Sequence, residues 1–362
     1  MSSEHSELLK ELLGKTCRRS LDRDFEHLLD SQVNISKGMH FEASTSQQHL
    51  RDFLNKEKTR DQTFPRVLSI QDRDFLGGSF ARHTKIWPLD DIDIYFPLDG
   101  QNLCYYQSGI AAPYKILSDG IRTHNPLLTF RWMEGEYISS RKLVNEFAKV
   151  LERHYSEATK IKSDNQAVNI QMKKGETKDE SGLGFDVVPC FCLQPHDTGK
   201  SYSYLIPNGF GGWTHTNPRI DTAIAKNLQD KNNKTYRKVV KLIKYWNKEI
   251  ARDMISSSYY IELAISRVYL AENRKGNSIN KISQGLALGF KGLYSAICGG
   301  SQAPLVREAP YVSPGNINDV QKKWLDAVKE VTTLSWSLER EKKENEAIKL
   351  WRKIFGENLK GD

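Results

Sequence analysis

Between Gly77 and Phe96 the chain reads GGSFARHTKIWPLDDIDIYF, a stretch whose residue types suit phosphate and metal chemistry. The two glycines let backbone N–H groups come close to an anion, and Ser79 adds a hydroxyl donor. The second half alternates as a strand does, placing Asp91 and Asp93 on one face and Ile92 and Ile94 on the other. Two carboxylates side by side repel by about 4 kcal/mol at roughly 4 Å and an effective dielectric of about 20. Such a pair calls for a divalent cation, and oxygen ligands with open positions suit Mg²⁺ bound together with substrate phosphates. A turn leading into a solvated edge strand would carry the same letters, so a third carboxylate has to decide. It comes in GFDVVPCF, where Asp186 interrupts a short apolar strand ended at Pro189. Beside Asp91 and Asp93 it would complete a two-metal centre for in-line phosphoryl displacement, with ions roughly 3.5–4 Å apart.

The elements that must position these groups follow from periodicity. Residues 6–31 and the stretch SQQHLRDFLNKEK after Ser46 have apolar positions at helical spacing. PRVLSIQDRDFLGGSF predicts a strand running into the glycine turn, and DDIDIYFPL the next strand. Residues 99–137, rich in Gly, Pro and Tyr, read as an irregular insertion, and SRKLVNEFAKVLERHY as an amphipathic helix. NQAVNIQMKKGETKDESGLGFDVVPCF predicts a β-hairpin with a polar, exposed turn. After about residue 200 the pattern is mainly helical, with a proline-bearing loop (Pro304, Pro310, Pro314) ahead of the closing helices. The expected layout is α+β. A catalytic lobe with a mixed sheet spans 1–200, a helical lobe spans 201–362, and the substrate cleft lies between them.

Composition narrows the class of partner. A formal net charge of +8 and a pI near 9.0 favour polyanions, although Lys and Arg are scattered rather than packed into one block. MSSEHSELLKELLGK lacks the basic and apolar regions of a secretory signal, and no apolar run approaches the roughly 20 residues that span a bilayer. The cysteines are odd in number and unevenly spread, as expected of reduced thiols in the cytoplasm. Cys190 and Cys192 with nearby His196 lack an evident fourth zinc ligand, so structural thiols are the better reading. No membrane partner and no obligatory nucleic acid are expected.

The Gly-Ser turn, the Asp-x-Asp pair and the later strand Asp resemble the nucleotidyltransferase superfamily of DNA polymerase beta type. KLIKYWN with Lys241 and Lys244, then SSSYYIEL, SYLIPNGFGGWTHTNP, APYVSPGNINDV and the terminal LWRKIFGE, narrow the resemblance to the cGAS/DncV-like nucleotidyltransferases, among them bacterial members in anti-phage signalling. The resemblance covers nearly the whole chain. It implies a polymerase-beta-like lobe plus a helical lobe, and NTP substrates with at least one purine. It also implies two Mg²⁺ ions (Mn²⁺ substituting) on Asp91, Asp93 and Asp186, and a separate effector that senses the product.

Carried onto this chain, it makes Gly78 and Ser79 holders of triphosphate oxygens. Lys244 becomes the donor triphosphate's counter-charge, Ser258 a phosphate contact and Tyr259 a base-stacking aromatic. Independently, Asn165 and Gln166 suit a base edge because amides both donate and accept. The implied reaction joins two NTPs with loss of pyrophosphate and then closes a cyclic di- or trinucleotide. Two alternatives stay open: a linear 2′,5′-oligoadenylate-type or RNA-terminal nucleotidyltransferase, and a non-catalytic nucleotide-binding module.

Overall fold

Helix capping and strand alternation account for most of the architecture. The computed structural model describes residues 21–68, 75–109, 112–121, 125–155, 159–172, 183–193, 203–305 and 309–359. The first described helix, α1 (Leu21–Leu28), continues as a π turn through Val33 and buries Leu21, Phe25 and Leu28 at helical spacing. Helix α2 (Lys37–Arg60) begins well before Ser46 because Ser36 caps it, its Oγ accepting from Met39 N–H. There follow β1 (Phe75–Leu76), the short α3 (Gly78–Ala81) and β2 (Ile92–Pro97).

The segment expected to be irregular holds two small antiparallel sheets, β3 (Leu103–Tyr106) with β4 (Lys115–Ser118), and β5 (Met133–Glu134) with β6 (Tyr137–Ile138). Helix α4 (Ser140–His154) precedes β7 (Thr159–Asp164), β8 (Ala167–Met172), β9 (Gly184–Leu193), β10 (Ser203–Pro207) and β11 (Trp213–Thr216). The expected hairpin exists as the β8–β9 pair, and its turn lies outside the described residues. The remaining elements are helical: α5 (Pro218–Lys231), α6 (Thr235–Tyr245), α7 (Ser258–Arg274), α8 (Ile282–Gly299), α9 (Asp319–Arg340) and α10 (Glu344–Phe355).

The main sheet runs β1-β2-β9-β10-β11, with β8 also on β9 and β7 on β8. Among the described strands of this sheet, β2 and β9 pair in parallel and the other pairs are antiparallel. The sheet is therefore mixed, as expected. Period-two alternation gives it two faces. Ile92, Ile94, Phe185 and Val187 join the core that includes Leu50 and Leu54 of α2 and Leu143 and Phe147 of α4. Tyr95, Val188, Tyr204 and Ile206 cluster on the other face, the face to which alternation also assigns Asp93 and Asp186.

Two compact units result, divided differently from the expected 1–200 and 201–362. One is α/β and comprises residues 34–230 and 300–313. The other is helical and comprises the chain before residue 34 together with 231–299 and 314–362. A cut at 200 would split the sheet, because Tyr204 pairs with Cys192 and Leu205 with Phe191. Helix α1 belongs with the helical unit rather than the catalytic lobe. Asp22 Oδ1 accepts from Ile282 N–H at 2.9 Å, Lys238 pairs with Glu26 at 2.6 Å, and Phe25 meets Trp351 edge-on at 5.2 Å. No helix among the described residues is long and apolar enough to cross a membrane.

Candidate active site

The glycine turn is built around a carboxylate. Gly77 N–H donates to the Asp93 carbonyl at 2.9 Å. Gly78 has φ +58°, and a Cβ there would sit 1.7 Å from Asp93 Oδ2. Any other residue would be strained and would displace the carboxylate. The buried Ser79 turns its carbonyl to the N–H groups of Thr84 (2.9 Å) and Lys85 (3.1 Å), folding the following loop back onto the turn.

Asp93 and Asp186 are direct register partners on the parallel strands β2 and β9, and neighbouring strands lie about 4.8 Å apart. Burial and then the charge of Asp186 push the Asp93 carboxyl up to about 6, against the pull of Arg82 and Lys85. Burial raises Asp186 as well, opposed first by its hydrogen bond from Asn169. Asn169 Nδ2 donates to Asp186 Oδ1 at 2.8 Å, and Gln171 Nε2 donates to Asn169 Oδ1 (3.3 Å) and to the Asp90 carbonyl (3.1 Å). A chain of amides thus fixes the carboxylate from the neighbouring strand. Asp91 is placed differently. It precedes β2, is half exposed, and accepts from Lys85 Nζ, which also donates to Asp90 Oδ1 at 2.6 Å.

Two partly desolvated carboxylates held side by side fit a divalent cation in charge and in donor type. Among the described residues no three His, Cys, Asp or Glu side chains converge as a metal site, and Asp91 is engaged by the Lys85 ammonium. Asp93 and Asp186 would hold the metal, with Asp91 joining once Lys85 lets go. Cys190 is fully buried in β9 and His196 lies outside the described residues.

Within the α/β unit a cavity of about 510 Å³ is lined by Asp93 and Asp186 together with Asn165, Gln166, Asn208 and Phe210. Asn165 and Gln166 form the β7–β8 turn, with Asn165 at φ +46°. Both are exposed, and Asn165 Nδ2 donates to Asp164 Oδ1 at 2.9 Å. The structure therefore brings the two amides proposed for a base edge into the same cavity as the two carboxylates.

Phe210 had no role assigned from sequence. It is 84% exposed at the tip of the β10–β11 turn. Asn208 stiffens that turn, its Oδ1 accepting from Phe210 N–H (2.8 Å) and Gly212 N–H (3.1 Å). Gly209 and Gly211 take φ +83° and +93°, and a Cβ on Gly209 would lie 3.1 Å from Asn165. The letters NGFGG were the available signal: an exposed aromatic on an Asn/Gly turn is poor for stability and suited to a flat ligand.

Lys244, Ser258 and Tyr259 lie in the helical unit. Lys244 is buried and its Nζ meets Glu262 Oε1 at 2.5 Å, the two side chains being 5% and 3% exposed. To serve a triphosphate, this ammonium would have to leave a buried carboxylate. Three residues earlier on α6, Lys241 is pushed down to about 8 by burial, then by Lys244 and Arg237, against Asp30. Ser257 caps α7 by accepting from Tyr260 N–H, leaving Ser258 exposed as the first helical residue and Tyr259 half-buried. Lys244→Met is expected to destabilise the protein by about 3–5 kcal/mol, because Glu262 would stay buried without its cation, while Lys241→Met costs little. Urea unfolding of both variants checks this. A loss below about 1 kcal/mol for Lys244→Met would show the pair to be dispensable for folding.

With this geometry in hand, comparison with known proteins adds the class. No protein-family model matches the chain. A probable cyclic nucleotide synthase of Bacillus cereus (strain VD146) is 28% identical over 246 residues, covering 66% of this chain and 68% of the relative. The structure of E. coli MS115-1 CdnC with ATP matches with a TM-score of 0.60 at 17% identity, covering 94% of this chain and 99% of that one. The same protein in its complex with HORMA-deltaN matches with a TM-score of 0.58 at 17% identity, covering 94% and 98%. The chain therefore shares the α+β fold of E. coli CdnC, a mixed sheet with a set of helices. In sequence the chain is similar to a probable cyclic nucleotide synthase, and in fold to E. coli CdnC.

Proposed function

We propose that this chain is a Mg²⁺-dependent nucleotidyltransferase that joins NTPs, at least one of them a purine, and closes a small cyclic oligonucleotide. One observation carries the reading: Asp93 and Asp186, side by side, line a nucleoside-sized cavity together with amides and an exposed aromatic ring. A ring stacked on Phe210 would gain roughly 1–3 kcal/mol without regard to base. Asn165 and Gln166 would then read the base edge by donating and accepting. The similarity to a probable cyclic nucleotide synthase supports ring closure over a linear product.

In this reading the Gly78–Ser79 turn holds the donor triphosphate, and Ser258 and Tyr259 contact a phosphate and a base. Asp91, Asp93 and Asp186 would hold two Mg²⁺ ions, which when bound polarise the α-phosphate and make the acceptor hydroxyl more acidic. Asn169 pins Asp186 Oδ1, so Oδ2 is the atom assigned to the hydroxyl's proton. A carboxyl raised by burial accepts that proton more readily than a solvated one. The acceptor oxygen attacks in line, the bond to the bridging oxygen breaks, and pyrophosphate leaves. A second attack of the same kind closes the ring. The similar E. coli protein has been solved in complex with HORMA-deltaN; for this chain we propose a role in anti-phage signalling through a separate effector that senses the product.

Incubation of the purified chain with NTP mixtures and Mg²⁺, then phosphatase and mass spectrometry, tests the proposal. The expected product resists phosphatase and has the mass of a cyclic di- or trinucleotide. Silence on NTPs combined with extension of an added RNA 3′ end would replace it with the RNA-terminal reading, and a phosphatase-sensitive 2′,5′ oligomer with the linear one.

A further inference from the structure

Lys85 is tied at both ends to groups with opposite needs. Its main-chain N–H donates to the carbonyl of Ser79 in the glycine turn at 3.1 Å. Its side chain is only 12% exposed and its Nζ donates to Asp90 Oδ1 at 2.6 Å and to Asp91 Oδ1. The same charge acts on Asp93 and Asp186, favouring their ionised forms. An ammonium therefore stands among the carboxylates while its backbone is fastened to the glycine turn.

An ammonium in direct contact with Asp91 competes with any metal for that carboxylate. A bare dication must break a charge-assisted hydrogen bond and would leave a displaced lysine facing a like charge. A nucleotide changes the balance, because its triphosphate gives the ammonium a new anionic partner beside Ser79. Lysine suits the exchange: it is a point charge on a flexible four-carbon stem, without the fixed bidentate fork of arginine. We propose that Lys85 is an exchange residue. Its ammonium holds Asp91 against bare metal and passes to the donor's triphosphate oxygens when the nucleotide arrives, so that metal and nucleotide load together. The inference rests on the metal-dependent nucleotidyl-transfer reading.

By linkage, two coupled ligands change each other's affinity by the same factor, and removing the residue that couples them removes that factor. The test measures free Mn²⁺ by electron paramagnetic resonance with the full chain, without nucleotide and with α,β-methylene-ATP. Wild type, Lys85→Met and Lys85→Gln are compared, and circular dichroism confirms folding. Wild type is expected to bind Mn²⁺ at least about tenfold more tightly with the analogue than without it. Both variants are expected to bind Mn²⁺ alone about tenfold more tightly than wild type and to lose most of the enhancement. Equal or weaker binding of Mn²⁺ alone by the variants, or an unchanged enhancement, overturns the proposal. If the methionine variant does not fold, the glutamine variant, which keeps length and polarity, supplies both readings. Because Mn²⁺ binding needs no turnover, a chain that makes no cyclic product can still support or refute Lys85. Normal synthesis with unchanged metal affinity refutes Lys85 alone.

Discussion

Asp93→Asn is expected to yield a protein that is more heat-stable than the parent near about pH 7.5 and unable to transfer nucleotides. Burial and the neighbouring Asp186 push the Asp93 carboxyl from 3.8 up to about 6. Between those values the folded protein keeps a proton that the unfolded chain has released. The stabilising contribution of this group is complete below the unfolded value and is lost as pH rises through about 6. Above that, the folded state holds a charge at a cost that a shift of this size puts at roughly 3 kcal/mol. The amide has the shape of the carboxylate that rests against Gly78 and carries no charge. A Tm gain of several degrees near about pH 7.5 should shrink towards zero near about pH 4. Turnover should fall at least about 1,000-fold, and any Mg²⁺-dependent rise in Tm should be lost. Scanning calorimetry at both pH values, with and without Mg²⁺, reads stability and metal response on one sample. An unchanged Tm near neutral pH would refute the electrostatic strain, and near-normal turnover would refute the metal role.

What the sequence made legible here was local. The glycine turn and the alternation through Asp93 are short-range patterns, and both appear where expected. That Asp186 would be the register partner of Asp93 is a long-range fact, set by how β9 slots beside β2; motif resemblance suggested proximity, and periodicity could not. Asp91 shows the limit of counting residues. It has the parity of Asp93, yet lies just before the strand, where Lys85 can reach it. Lys244 shows another limit. A lysine in mid-helix reads as a solvated or phosphate-facing group, and only packing reveals the buried Glu262 eighteen residues on. The observed division differs from the boundary expected near 200 for a physical reason: past residue 200 β10 still pairs onto β9 and β11 onto β10, and the next helix begins only at Pro218. Strand β7 went unread because TKIKSD is mostly charged and polar. The left-handed Asn165 in its turn was the clue that remained.

Asp186→Asn separates chemistry from binding. In the proposed mechanism the donor's triphosphate rests on the Gly78–Ser79 turn, so NTP affinity should stay within about threefold of wild type. The substituted amide can neither ligate a cation through an anionic oxygen nor take up the acceptor's proton, and it meets the Asn169 amide where a carboxylate accepted a hydrogen bond. A loss of about 10³ or more in kcat is expected, within the range of losing a positioned base together with its electrostatic contribution. Asn169→Ala supplies the contrast. It leaves the carboxylate in place but frees it to rotate, so kcat should fall by about tenfold, again with little change in affinity. Nucleotide binding by calorimetry and single-turnover rates on the same preparations resolve the two. If Asp186→Asn lost affinity as steeply as rate, the residue would be a binding or structural group. If Asn169→Ala matched it in rate loss, the amide would be more than a support for the carboxylate, and the proton would have to be assigned elsewhere.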